Sequence, residues 1–172
     1  ALLVGGATSL IHALLTVTLR ANQVVSGLAL TLFGAGLSAF LGKPLVGQPA
    51  PAAFVRTPIP LLADIPALGP ILFQQDLLTY LSYLLVPALW YFMFHTRPGL
   101  QLRAVGENRA STDVMGISVG GLRYLYIALG GMLAGLGGAY ISLVSNPSWT
   151  ENITAGRGWI AIALVIFATW SP

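Results

Sequence analysis

The most polar stretch of this chain reads Arg103-Ala-Val-Gly-Glu-Asn-Arg-Ala-Ser-Thr-Asp-Val-Met-Gly-Ile117. Charges of both signs (Arg103, Glu107, Arg109, Asp113) are interrupted by Val105, Val114, Met115 and Ile117, as in a short helix lying flat against another surface. The chemistry open to such a segment is recognition, with apolar side chains to bury and charges to set a register. By periodicity alone, a solvated loop between two apolar runs fits as well and is the commoner case.

Other polar residues stand inside or beside apolar runs. His12 is the one ionisable side chain well within the first run; ionisable groups at membrane depth are functional by default, and a structural role is the plainer alternative. Asn22, Gln23 and Ser26 are candidates for a polar solute path and equally for hydrogen bonds between helices. Gly130, Gly131, Ala134, Gly135 and Gly138, with Gly137 and Ala139, make a small-residue face that lets membrane helices approach closely. Tight packing explains that face better than a pore lining. Arg123, about two turns into its expected helix, reaches the interface by snorkelling.

Hydrolytic chemistry has little to work with. There is no cysteine, which removes disulfides, thiolate metal sites and a Cys nucleophile. No H-E-x-x-H zinc motif occurs, and His12 and His95 sit in no motif that would pair them with a serine. The sole lysine, Lys43, precedes a proline, so there is no G-x-x-x-x-G-K-[ST] phosphate loop. Neither a catalytic site nor a resident cofactor is expected, and any ATP-driven motor must be another polypeptide.

The elements that position these residues follow from composition. Of 172 residues, 56 % are hydrophobic and 8 % charged, against roughly a quarter charged in a soluble domain. So little charge cannot cover a water-facing surface; lipid is the solvent for much of the chain. The net charge of +3 is thinly spread, which argues against nucleic-acid binding.

Ala1–Leu19, closed by Arg20, and Ala21–Gly42 are uncharged and near the length of a spanning helix. From Lys43 to Gln75 the chain holds seven of its eleven prolines, an irregular loop with a short helix near Leu61–Phe73. Leu77–Phe94 is the third span, with Asp76 as N-cap, a kink at Pro87 and a stop at Pro98-Gly99. Ile117–Val144 is the fourth. A turn over Ser145–Gly158, containing Asn146-Pro147, leads to a fifth that begins at Trp159 and is cut off, so the chain is expected to be a fragment forming one transmembrane unit over 1–172.

These runs are twice as long as a barrel strand, so the predicted fold is all-α, a polytopic transmembrane helical bundle with about five spans. Placing Arg97, Arg103, Arg109 and Arg123 in the cytoplasm also puts Arg20 there and leaves Lys43, Arg56 and Arg157 outside. Trp90, Tyr91, Tyr124 and Tyr126 then line the inner interface, and Tyr80, Trp149 and Trp159 the outer one.

Thr96 to Ile117, containing Arg103, Ala104, Gly106, Glu107, Asn108, Gly116 and Ile117 in the pattern Arg-Ala-x-Gly-Glu-Asn…Gly-Ile, resembles the cytoplasmic coupling segment of ABC importer permeases for simple sugars, nucleosides and branched-chain amino acids. Arg20 to Leu30, Arg-Ala-Asn-Gln-Val-Val-Ser-Gly-Leu-Ala-Leu, resembles a helix start of the nucleoside and simple-sugar branch.

The resemblance implies that segment 96–116 docks in a cleft of a separate cytoplasmic ATP-binding subunit and relays its closure to the helices. Val105, Met115 and Ile117 would form the apolar knob, and Arg103, Glu107 and Arg109 its register charges, with Ala104, Gly106, Asn108 and Gly116 completing the contact. It also implies a second permease subunit, identical or not, an extracytoplasmic solute-binding protein, and a bacterial inner membrane as the site, with loop 43–75 extracytoplasmic. The solute order it suggests is nucleoside, then monosaccharide, then branched-chain amino acid. A secondary transporter or channel is the alternative; ion-coupled carriers place acids at mid-membrane depth, whereas the five acids here fall in loops or at span ends.

Overall fold

The computed structural model describes residues 1–48, 73–145, 148–154 and 156–168. Seven α-helices follow one another among these residues: α1 Leu2–Ala13, α2 Gln23–Gly42, α3 Leu77–His95, α4 Arg97–Glu107, α5 Arg109–Val114, α6 Val119–Tyr140 and α7 Arg157–Phe167. Two of them run on as π-helical turns, α1 into Leu14–Thr18 and α6 into Ile141–Ser145. A 3-10 turn, Lys43–Leu45, ends α2, and beyond it Val46 pairs with Trp149 in an isolated parallel bridge. The fold is all-α.

Among the described residues three helical stretches are long and apolar enough to cross a membrane: Gln23–Leu45, Leu77–His95 and Val119–Val144. Leu2–Thr18 and Arg157–Phe167 are apolar but shorter. The expected five spans therefore resolve into three full-length candidates and two shorter helices. Their outward faces carry large apolar side chains, with Leu32 76 % and Phe40 77 % exposed. Water would not tolerate such a surface, while lipid or a neighbouring helix would cover it.

The main packing seam lies between α1 and α6. Small residues build it. A Cβ placed on Gly5 would collide with the carbonyl oxygen of Gly131, and one on Gly131 with the Ser9 side chain. A Cβ on Gly135 would stand 2.7 Å from the Ala1 carbonyl oxygen and 3.2 Å from the Gly5 Cα. Lipid offers helices no hydrophobic reason to associate, so close backbone approach supplies the contact instead. Further along, Met132 covers Gly6, and Ala13 is fully buried.

Local signals set the helix ends. Asn22 caps α2, its Oδ1 accepting from the Val24 and Val25 amides, and Asp76 caps α3, accepting from the Thr79 amide at 3.0 Å. Helix α3 continues through Pro87 to His95.

Pro98-Gly99 does not stop that span. The chain turns at Thr96, whose hydroxyl accepts from the Gly99 amide, and Pro98 falls in the first turn of α4. A proline costs nothing there, because the missing N–H would have no helical partner anyway. Gly99 allows α4 to fold back on α3: a Cβ would strike the Phe92 carbonyl and lie 2.8 Å from the Met93 Cα.

Arg123 is also shallower than expected. It is about one turn into α6, which starts at Val119 rather than at Ile117. Most of the proline-rich stretch, the short helix near Leu61–Phe73 and the Asn146-Pro147 turn lie outside the described residues.

Candidate functional site

Segment 96–116 is two helices meeting at Asn108, which breaks α4 from α5 by its extended backbone (φ −145°, ψ 102°). Its side chain accepts from the Ser111 amide at 3.1 Å, and its carbonyl accepts from the Thr112 hydroxyl at 2.8 Å. Thr112 is thereby almost wholly buried. At the far end Gly116 turns the chain with φ +78°, a conformation glycine adopts without strain.

The structure sorts the residues of this segment by direction. Val105 is buried, and the Arg103 guanidinium lies over the Phe94 ring at 4.8 Å from its centre, bracing α4 on α3. The Arg103 Nε is buried without a hydrogen-bond partner. Ala104 and Ile117 are half-buried, whereas Gly106, Glu107, Asn108, Arg109, Met115 and Gly116 are exposed. Val114, interrupting the polar run in the sequence but absent from the knob drawn from it, is the most exposed of the segment's large apolar residues at 89 %, with Met115 beside it. A further tie holds the segment to α6, where the Tyr126 hydroxyl donates to the Pro98 carbonyl at 3.3 Å.

The small-residue face of α6 divides. Gly131 and Gly135 turn to α1, while Gly130, Gly137 and Gly138 would meet nothing with an added Cβ, and Ala134 is exposed.

The polar residues of α1 and α2 separate likewise. Ser26 is buried with its hydroxyl 3.0 Å from the His12 Nδ1, a pair that joins the two helices. Asn22 is occupied as a cap. Gln23 lines a cleft of about 510 Å³ at the end of the bundle where α1, α2, α5 and α6 converge, together with Thr16, Arg20, Arg109 and Arg123. Arg20 stands at the turn in a left-handed backbone conformation, φ +54°. Nothing in the spacing of these three arginines announces that they meet, because they belong to three different elements. Among the described residues no cluster of His, Asp and Glu could hold a metal ion.

Residues 1–172, the whole chain, match the family described as "Branched-chain amino acid transport system / permease component". The chain belongs to this permease family. It is 41 % identical over 172 residues to TsgC13 of Haloferax volcanii, a protein assigned as a glucose ABC transporter permease, covering 98 % of this chain and 52 % of that one. The guanosine ABC transporter permease NupQ of Bacillus subtilis is 36 % identical over 180 residues, covering 100 % and 56 %. The nucleoside ABC transporter permease NupC of Lactococcus lactis is 37 % identical over 174 residues, covering 99 % and 55 %. The chain thus spans about half the length of these relatives. No solved structure matches it.

Membership of the permease family agrees with the apolar, lipid-compatible surface of α2, α3 and α6. Such relatives occur in an archaeon as well as in bacteria, so the expected bacterial inner membrane widens to a membrane of either kind of cell.

Proposed function

We propose that this chain is the membrane-spanning part of an ATP-driven importer, moving a small polar solute by alternating access. A nucleoside or simple sugar is the preferred solute, since relatives similar along the whole chain are named for glucose, guanosine and nucleosides. In this reading five helical segments cross a cell membrane. Residues 96–116 lie in the cytoplasm as the coupling segment, and 43–75 on the opposite side. A separate ATP-binding subunit, a second permease subunit and an extracytoplasmic solute-binding protein complete the transporter.

The observation that carries this reading is the build of segment 96–116. Its base is braced on α3 through Gly99 and Arg103, with Val105 buried, while Val114, Met115, Gly106 and Glu107 are exposed at its surface. A rigid support under an exposed apolar tip suits a part that transmits force to a partner. Its charge beside that tip, Glu107, would set the register.

The test uses Gly106→Trp and Glu107→Lys in the full-length permease. Nothing lies within 4 Å of a Cβ on Gly106, and exposed substitutions usually change stability by no more than about 0.5 kcal/mol. Both variants should therefore fold and insert. Co-purification of the ATPase, or uptake of solute, should fall at least about tenfold if a contact worth 1.4 kcal/mol or more is lost. Normal assembly and uptake in both would remove the coupling assignment.

A further inference from the structure

The cleft at the converging ends of α1, α2, α5 and α6 holds a concentration of positive charge, of which the coupling role accounts for Arg109 alone. Arg20, Arg109 and Arg123 line it, and no aspartate or glutamate is among the lining residues. Arg109 and Arg123 lie near enough in its lining for their like charges to oppose one another. Three arginines lining one space, with no acid among them, call for an anion from outside the chain.

The rest of the lining suits an oxyanion. Helix α6 begins at the cleft with Val119 and Gly120, and its N-cap residue Ser118 makes no side-chain capping bond. The first amides of this 22-residue helix thus add donors and the positive end of its dipole to the three guanidiniums. A Cβ on Gly120 would meet nothing, so a ligand can reach that backbone. Planar guanidinium forks match phosphate geometry in a way that single ammonium groups do not.

Position indicates the source of the phosphate. The cleft lies where apolar helices end: α1 and its π-turn finish at Thr18, α2 starts at Gln23, and α6 starts at Val119. That is the level of lipid headgroups if these helices cross the bilayer. We propose that the cleft is a phosphate site for the headgroup of an anionic phospholipid, held by Arg20, Arg109 and Arg123. The site rests on the chain's own geometry and does not require the coupling reading.

The test titrates the permease, purified in a neutral detergent, with phosphatidylglycerol, phosphatidylcholine and inorganic phosphate. Bound species are counted by native mass spectrometry. Phosphatidylglycerol should be retained at least about tenfold more tightly than phosphatidylcholine. Arg109→Gln and Arg123→Gln should each weaken it by about tenfold or more, the loss of a charge-assisted hydrogen bond. Arg123→Lys should recover part of that loss, because the charge remains while the fork does not. Arg157→Gln, which removes the same charge from a residue outside the cleft, should change nothing. Arginine-dependent binding of inorganic phosphate as tight as that of the lipid would support the phosphate site and assign it to the free ion. If neither binds in an arginine-dependent way, the proposal is overturned. It is equally overturned if the cleft variants keep their lipid affinity and instead lose the ATPase subunit, because the occupant would then be a protein carboxylate.

Discussion

Gly131 stands against Gly5 so closely that the carbonyl oxygen of each occupies the space a Cβ on the other would need. The contact is backbone on backbone, and neither helix can yield without moving as a whole. Gly130, one residue earlier on α6, faces open space. Adjacent glycines in one helix therefore have opposite sensitivities. Gly131→Ala should destabilise the α1–α6 pair by about 1–3 kcal/mol, the usual cost of overpacking. Gly130→Ala should be neutral or slightly stabilising, because alanine favours the helix. Thermal unfolding in detergent checks both, and equal behaviour of the two variants would contradict the tight seam.

How far the sequence discloses such features depends on the range of the interactions. Caps are local, and Asp76 is legible as the start of α3 because its partner lies three residues away. Periodicity identifies a small-residue face on α6 but cannot divide it, since Gly130 and Gly131 differ only in which neighbour they meet. Pro98-Gly99 misleads for a physical reason. The pair that ends one helix elsewhere also suits the first turn of the next, and only the approach of Phe92 and Met93 to Gly99 decides between them. Long-range partners leave no signal at all. The Trp149 ring packs where a Cβ of Gly42 would be, and the Thr18 and Tyr124 hydroxyls lie 2.5 Å apart although 106 residues separate them.

The His12–Ser26 pair is a hydrogen bond between helices that otherwise touch lightly, and it tests whether these residues hold the bundle or bind solute. Interhelical hydrogen bonds in membranes are modest, averaging about 0.6 kcal/mol in double-mutant cycles. His12→Ala and Ser26→Ala should each lower stability slightly, and the double variant by less than their sum. Additive losses would show that the pair does not interact. Reduced solute affinity at unchanged stability would move Ser26 into the solute path.

Single-cysteine labelling checks the proposed topology, helped by the absence of cysteine from these 172 residues. Ser111 and Gln48 are both exposed, one in α5 and the other after the turn that follows α2. Ser111→Cys and Gln48→Cys should react with a membrane-impermeant maleimide from opposite faces of sealed vesicles. Labelling of both from one face would overturn the assignment of 43–75 and 96–116 to different sides.

Asn108 offers a way to separate the shape of the coupling segment from its contact surface. The residue holds the joint between α4 and α5 through its Oδ1 bond to the Ser111 amide, while its carbonyl takes the Thr112 hydroxyl. Asn108→Ala removes the cap, at a cost typically about 1 kcal/mol, and leaves the backbone bond intact. Helix α5 has only six residues and little else to hold its first turn. Amide hydrogen exchange at Ser111 should therefore quicken roughly fivefold, the factor that about 1 kcal/mol of local opening implies. Asn108→Ser retains an oxygen acceptor and should restore slow exchange. If the segment acts as a rigid lever, transport in the full-length protein should follow the same order, weak in the alanine variant and recovered in the serine one. Slow exchange but failed transport in Asn108→Ser would mean that the Asn108 amide touches the partner directly. Unchanged exchange in Asn108→Ala would mean that the cap does not hold the joint.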